Sequence, residues 1–359
     1  MQKKYPINGF FVYTSMNRLN LKKLFSSKQI TFALLFFLLI FNIQVTAQDS
    51  SYNNAAFDTL KSSQIIPLKD YLSEAAISKK SRLWLVSGIH TSAYAGSLLI
   101  LNEAWYKNYP KQGFTSFDDS KEWLQMDKIG HGWSAYNLSR GSTEAWKWAG
   151  LSDRKAAIIG STSGFAFLTV IELLDARSTR WGFSWSDIAA NTLGTGLFVS
   201  QQLAWNEQRI QFKFSFHRKN YVEKMLNDRT DQLFGKSWYE RMLKDYNGQT
   251  YWLSANLKSF LKDSKLPPWL NIAFGYGAEG MFGGFENLVK DGNGTISFDR
   301  RDIARTRQFY LSPDIDLTKI KTKKKWIRTA FLMLNSFKFP MPAIMLNTKG
   351  RIRVHPFYF

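Results

Sequence analysis

Cysteine is absent from all 359 residues. That excludes disulfides, cysteine-ligated zinc, iron–sulfur clusters and thiol nucleophiles, and with them a lipid anchor built on cysteine. Histidine is nearly as scarce, with only His90, His131, His217 and His355. A metal would need carboxylates beside His131, with His90 from the preceding helix, and oxygen-rich Mg²⁺ or Ca²⁺ would suit such a set better than zinc. No motif asks for one, so no metal and no cofactor is expected. The signatures G-x-S-x-G, H-E-x-x-H and G-x-x-x-x-G-K-[ST] are missing too, which removes the familiar hydrolase, zinc-protease and nucleotide sites. There is no RNA- or DNA-binding motif, no fixed-period repeat and no low-complexity tract, so no nucleic-acid partner is expected.

What is abundant is positive charge. The formal net charge is +20, with 45% hydrophobic and 16% aromatic residues. Such an excess favours anionic surfaces such as lipid headgroups or lipopolysaccharide, although a merely basic soluble surface gives the same number. Lys22, Lys23 and Lys28 precede an apolar run over 30–43, and Val45-Thr46-Ala47 offers a cleavage site before Gln48. Residues 1–47 therefore read as a signal peptide. Met16 begins a more ordinary leader than Met1. Export without cysteine points to a bacterial envelope: the periplasm, associated with the outer membrane, with the inner membrane as the alternative.

Along the exported chain, 48–81 reads as a lead-in with one short helix near 68–76. Residues 82–205 form a helical core. Its segments are 82–106, apolar and flanked by aromatics; 121–140, with Asp118, Asp119 and Ser120 as caps; 156–174, opened by Ser152; and 187–205, opened by Ser184. Gly160-x-x-x-Gly164 invites close approach of a neighbouring backbone. None is a clean twenty-residue hydrophobic span. Period-two alternation then begins at Ile210, Phe212, Phe214 and Phe216, and returns over 251–257 and 270–276. Residues 221–247 are helix-like, 308–311, 343–346 and 352–359 strand-like, and 326–335 a short helix. The strands look too few for a membrane barrel. The expected class is α+β: a mainly α-helical, membrane-associated bundle with a β-rich C-terminal region over 206–359.

Ionisable and amide side chains sit at helical spacings inside this apolar core. Asp127 and His131 are four apart, Glu172 and Asp175 three apart, and Asp187 and Asn191 four apart, so each pair shares a helix face. Lys128, Arg177 and Arg180 add positive charge. His131, Glu172 and Asp127 are the candidate catalytic residues, and Lys128, Arg180, Asp175, Asp187 and Asn191 the candidate ligand-binding ones. Structural readings compete. Asp187 could complete a capping box with Ser184, and Asn191 could satisfy a buried backbone group. Asp127–His131 could be a helix ion pair, and Glu172 could be neutralised by Arg177, Arg180 or Lys128.

The ordered pattern D-K-x-x-H, E-x-x-D and R-x-x-x-S-x-S-D-x-x-x-N-x-x-G-x-G, over 127–196, resembles the YfiM-like family of predicted periplasmic lipoproteins of unknown function. More distantly it is similar to VanZ-like membrane proteins. The motif positions are Asp127, Lys128, His131, Glu172, Asp175, Arg180, Asp187, Asn191 and Gly194. The resemblance implies a helical, envelope-associated module and supplies no reaction. The lipobox cysteine of the lipoprotein members is missing, and the C-terminal half has no counterpart in the short members.

Two functions fit. In one, the protein is a non-enzymatic structural or lipid/glycan-binding component of the envelope, with a possible protein partner. In the other, it is an enzyme acting on a phosphate-bearing envelope lipid or lipid-linked glycan. There Lys128 and Arg180 would hold phosphate, and His131 and Glu172 would move protons.

Overall fold

The computed structural model describes residues 79–102, 106, 109–179, 181–290 and 293–359. The signal peptide, the helix expected near 68–76 and Arg180 lie outside the described residues. Four long helices come first: α1 (Lys79–Leu101), α2 (Met126–Trp148), α3 (Asp153–Asp175) and α4 (Trp185–Trp205). Helix α2 is the hub, packed on α1, α3, α4 and the following sheet. It is also the most polar of the four although no residue of it is exposed, so its polar side chains need partners inside the protein.

Glycines allow that packing. A Cβ at Gly160 would stand 2.6 Å from the backbone nitrogen of Thr143, and one at Gly194 only 2.0 Å from the carbonyl oxygen of Gly132. Both α3 and α4 thus touch α2 backbone to backbone, as the Gly160/Gly164 spacing foretold for α3. Helices α1 and α3 are long and apolar enough to cross a membrane, and only 11% of the α1 window is buried by protein.

The chain then continues through β1 (Ile210–Phe216), α5 (Lys224–Phe234), α6 (Trp238–Lys244), β2 (Gln249–Asn256), α7 (Leu257–Phe260), β3 (Leu270–Glu279), β4 (Leu288–Lys290), β5 (Ile296–Asp299), β6 (Thr306–Ile315), α8 (Lys325–Leu334), β7 (Met341–Asn347) and β8 (Ile352–Tyr358). Six of these strands make one antiparallel sheet in the order β1-β2-β3-β6-β7-β8, while β4 and β5 form a separate hairpin. The free edge of β1 is covered by residues 336–338, through hydrogen bonds from Phe214 N–H to Ser336 and from Lys338 N–H to Phe214. The class is α+β with a β-rich C-terminal region.

One face of the sheet is turned inward and mixes polar side chains with an apolar cluster of Trp252, Ala273, Tyr310, Ala343, Met345 and Tyr358. Lys213, Ser215, Trp252, Ser254, Asn271, Tyr310, Ser312 and Asp314 alternate inward and are buried. The opposite side is apolar. At β1 and the start of β2 it packs on α2, where Phe214, Phe216 and Tyr251 join Met126 and Trp133 in a core. Beyond α2 no other described residues cover that face at Leu253, Phe274, Leu311, Ile344 and Val354.

Several boundaries moved from the sequence reading. Helix α2 starts at Met126 rather than 121, since Trp123, Leu124 and Gln125 adopt positive φ of 48°, 52° and 64°. Asp118 and Ser120 close a local turn instead of capping the helix. The segment 221–247 is two helices, broken at Gly235 (φ 88°) and restarted by a Ser237/Glu240 capping box. The strands are longer than alternation alone suggested: β3 and β6 reach ten residues each.

Candidate functional site

The polar residues converge where the N-terminal turns of α2 and α4 meet the C-terminal turn of α3. Three successive left-handed residues are costly outside glycine, on the order of 1–2 kcal/mol each. Here the sheet holds them. The Trp123 N–H donates to Gly284 O at 2.8 Å, the Tyr276 hydroxyl donates to Leu124 O at 2.6 Å, and the Trp123 ring packs on Phe234 and Tyr246. That turn delivers Asp127 and Lys128 into the bundle. Ser184 caps α4, accepting from the Asp187 N–H at 3.0 Å, so that part of the capping reading holds.

Lys128 is the centre of an ion-pair group. Its ammonium meets Asp127 Oδ2 at 3.0 Å, Asp187 Oδ1 at 2.8 Å, and the Asp119 carboxylate. Asp119 also accepts from Ser184 (2.7 Å) and Ser186 (2.6 Å), and Asp127 from the Tyr246 hydroxyl (2.8 Å). Burial alone would lower the Lys128 pKa. The carboxylates of Asp127 and Asp187 outweigh that and hold it above the usual lysine value.

His131 stands between two acids. Its Nδ1 is 3.7 Å from Glu172 Oε1 and its Nε2 is 3.8 Å from Asp187 Oδ1, both longer than a hydrogen bond. Burial works against its charged form, yet Asp127, Asp187 and Glu172 together raise its pKa. Glu172 is 1% exposed. Desolvation pushes it up to about 8, against the pull of His131 and a hydrogen bond from the Ser184 backbone. Asp175 accepts from the Tyr106 hydroxyl at 2.8 Å and is raised to about 6 by burial. Asn191 is fully buried, and among the described residues neither its amide nitrogen nor its oxygen has a hydrogen-bond partner.

Asp127, Lys128, His131, Glu172, Asp187 and Asn191 are therefore brought onto neighbouring helix faces as the spacings proposed, with Asp175 one turn beyond Glu172. Two of the alternatives are decided. Of the three cations offered for Glu172, Lys128 turns to three aspartates instead, and Asp127 takes its direct contacts from Lys128 and Tyr246, with His131 acting on it electrostatically. Arg177 is exposed. Arg180 lies outside the described residues. Asp119, read only as a helix cap, is a partner of Lys128 instead. Tyr246 carried no local signal, being 119 positions from its acceptor. Ser186 stood in the S-x-S-D pattern without an assigned role, and Ser184, read as the cap of α4, also donates to Asp119. Chemically, the group offers carboxylates, an imidazole and an ammonium that can hold a cation or pass a proton. The side chains of Asp127 and His131 remain 26% and 23% exposed, so small species can reach it.

Residues 113–201 match the family described as predicted periplasmic lipoprotein (DUF2279), about a quarter of the chain and the part that builds this site. The match supports a periplasmic, cell-envelope protein of unknown function, although the sequence has no cysteine on which a lipoprotein anchor is made. No curated protein and no solved structure matches the chain.

Proposed function

We propose that this is a non-enzymatic envelope protein that rests against an anionic membrane through the uncovered face of its sheet. One observation carries the reading. Leu253, Phe274, Leu311, Ile344 and Val354 are direct cross-strand neighbours on five consecutive strands. Their exposure runs from 43% at Leu253 to 70% at Val354. The next row in the same register starts under α2 at buried Tyr251, passes half-buried Tyr276 and Phe309, and is exposed at Leu346 and Ile352. Soluble sheets turn such faces inward, whereas apolar-out and polar-in is the pattern of strands in lipid. A contiguous patch of this width marks an interaction surface.

Charge selects the partner. Lys262, Lys265, Lys321, Lys323 and Lys324 are exposed in the loops at one end of the strands, and Lys349 and Arg351 at the other. Helix α8 follows the first set with Trp326 exposed and an apolar run to Leu334, the make-up of an interfacial helix. Each basic side chain near an anionic surface is worth about 1 kcal/mol. Burying each half-exposed Leu, Ile or Phe adds about 1 kcal/mol more. The resemblance of 127–196 to YfiM-like and VanZ-like proteins supports the same setting, and the outer membrane is the proposed one.

Flotation tests this. The mature protein is expected to rise with phosphatidylglycerol-containing vesicles and much less with phosphatidylcholine alone. Phe274→Asp with Leu311→Asp is expected to leave it at the bottom of the gradient. Equal flotation of the double variant and the wild type would dismiss the sheet face as the contact.

A second reading, acid/base chemistry on a phosphate-bearing lipid or lipid-linked glycan, is favoured by His131 facing Glu172, the imidazole raised by its carboxylate neighbours and Glu172 raised to about 8 by burial. It expects an envelope lipid that changes on deletion of the gene and is restored by wild type but not by a folded His131→Ala variant. Restoration by both would end it.

A further inference from the structure

We propose that Asp127, His131 and Asp187, backed by Glu172 and Asn191, bind one divalent first-row cation, Zn²⁺ or Mn²⁺. One ligand atom from each of Asp127, His131 and Asp187 lies within 4.8 Å of the others. Donors on a common ion at 2.0–2.2 Å sit roughly 3–3.5 Å apart. Movement of the side-chain ends by about an ångström therefore closes the set. The sequence reading favours Mg²⁺ or Ca²⁺ for a carboxylate-rich site. The fold instead puts an imidazole among only two carboxylates, and that mixed set suits a first-row ion better than ions that prefer oxygen alone.

Independent observations point to a ligand here. Glu172 Oε1 and both amide atoms of Asn191 are buried without a hydrogen-bond partner among the described residues, next to the triad. Asn191 lies one helical turn after Asp187 on α4, and Glu172 Oε1 faces His131. Native proteins seldom leave so many polar atoms unsatisfied in one place without a bound species. Charge agrees. Asp127, Glu172, Asp175 and Asp187 share this volume, and the cations acting on them among the described residues are Lys128 and His131. A divalent ion supplies the missing positive charge, while Lys128 keeps its own contacts with Asp119, Asp127 and Asp187. This inference stands whether or not the sheet faces lipid.

The test is uptake by the untagged mature protein, stripped with chelator and dialysed against Zn²⁺ or Mn²⁺ alone. One ion per chain is expected. His131→Gln and Asp187→Asn, checked for native circular dichroism, should each weaken binding at least about tenfold, and Glu144→Gln on the far part of α2 should not. X-ray absorption of the ion-loaded wild type should show scattering from one imidazole, a reading that needs no variant to fold. Retention of neither ion, uptake unchanged in both ligand variants, or an ion shell without imidazole would each overturn the proposal.

Discussion

Charge is buried in two regions of this molecule, and the two are finished differently. Inside the sheet, Lys213 and Lys338 flank Asp314, all of them at most 1% exposed. Lys213 Nζ meets Asp314 Oδ2 at 2.8 Å and donates to Ile315 O at 2.7 Å. Lys338 Nζ donates to Pro313 O (2.9 Å) and Phe339 O (2.8 Å) and lies over the Trp252 ring. Asp314 accepts further hydrogen bonds from Ser254 (2.6 Å) and the Phe339 N–H (3.0 Å). Every polar atom there is used. In the helical group, by contrast, Glu172, His131 and Asn191 keep atoms without a partner among the described residues, and the acids Asp127, Glu172, Asp175 and Asp187 face Lys128 and His131. A completed network specifies a fold, and an incomplete one is where function is sought.

The largest effect should come from breaking the completed network. Asp314→Ala removes the carboxylate beside two buried lysines and is expected to cost about 3–5 kcal/mol. Urea unfolding measures it; a loss under 1 kcal/mol would mean that the sheet interior relaxes as easily as a surface. Next in size is the pH response of Lys338. Desolvation lowers it to about 8 from 10.5, although Asp314 acts in the opposite direction. Below pH 8 both folded and unfolded chains hold the proton and the folded state bears the full cost of a buried charge. Between about 8 and 10.5 the folded chain has released it and the unfolded chain has not, so stability rises with pH. The gain is on the order of 3 kcal/mol. It should appear in wild type relative to Lys338→Met; a difference that is flat across this window would refute it.

Both regions were partly legible in the sequence, for different reasons. Helical spacing placed Asp127, His131, Glu172 and Asp187 on neighbouring faces because periodicity is local. Tyr246 belongs to the chain after α6, and no local pattern ties it to Asp127. Spacing left Lys128 as one of three possible partners for Glu172, and only the packing of α2 against α4 turns it to the aspartates. The start of α2 depends on Trp123–Gln125 in a conformation that non-glycine residues rarely adopt, so no spacing rule gave its direction. In the sheet, alternation over 270–276 revealed a two-faced strand but not which face is inside. That needed the register across β2, β3, β6, β7 and β8, together with α2 lying over only one end of the apolar side.

Smaller effects separate the regions further. Glu172→Gln replaces a buried acid raised to about 8, already mostly protonated at pH 7 in cation-free protein, by a neutral amide of nearly equal shape. The expected change at pH 7 is within about 1 kcal/mol, far from the cost at Asp314. A loss of several kcal/mol on thermal unfolding would instead make Glu172 an ionised member of a structural network.

The smallest change belongs to the outside of the sheet whose interior is so sensitive. Phe274 and Leu311 are 52% and 51% exposed and are each other's cross-strand partners. Phe274→Ser and Leu311→Ser give up contact mainly with each other and with adjoining side chains on the same face. Each should therefore alter unfolding in lipid-free buffer by only about 0.5 kcal/mol, while weakening flotation with anionic vesicles. The pairing of these two readouts is what discriminates. If either serine variant lost more than about 2 kcal/mol without lipid, the face would be packed within the protein, and its apolar side chains would belong to the fold rather than to a membrane.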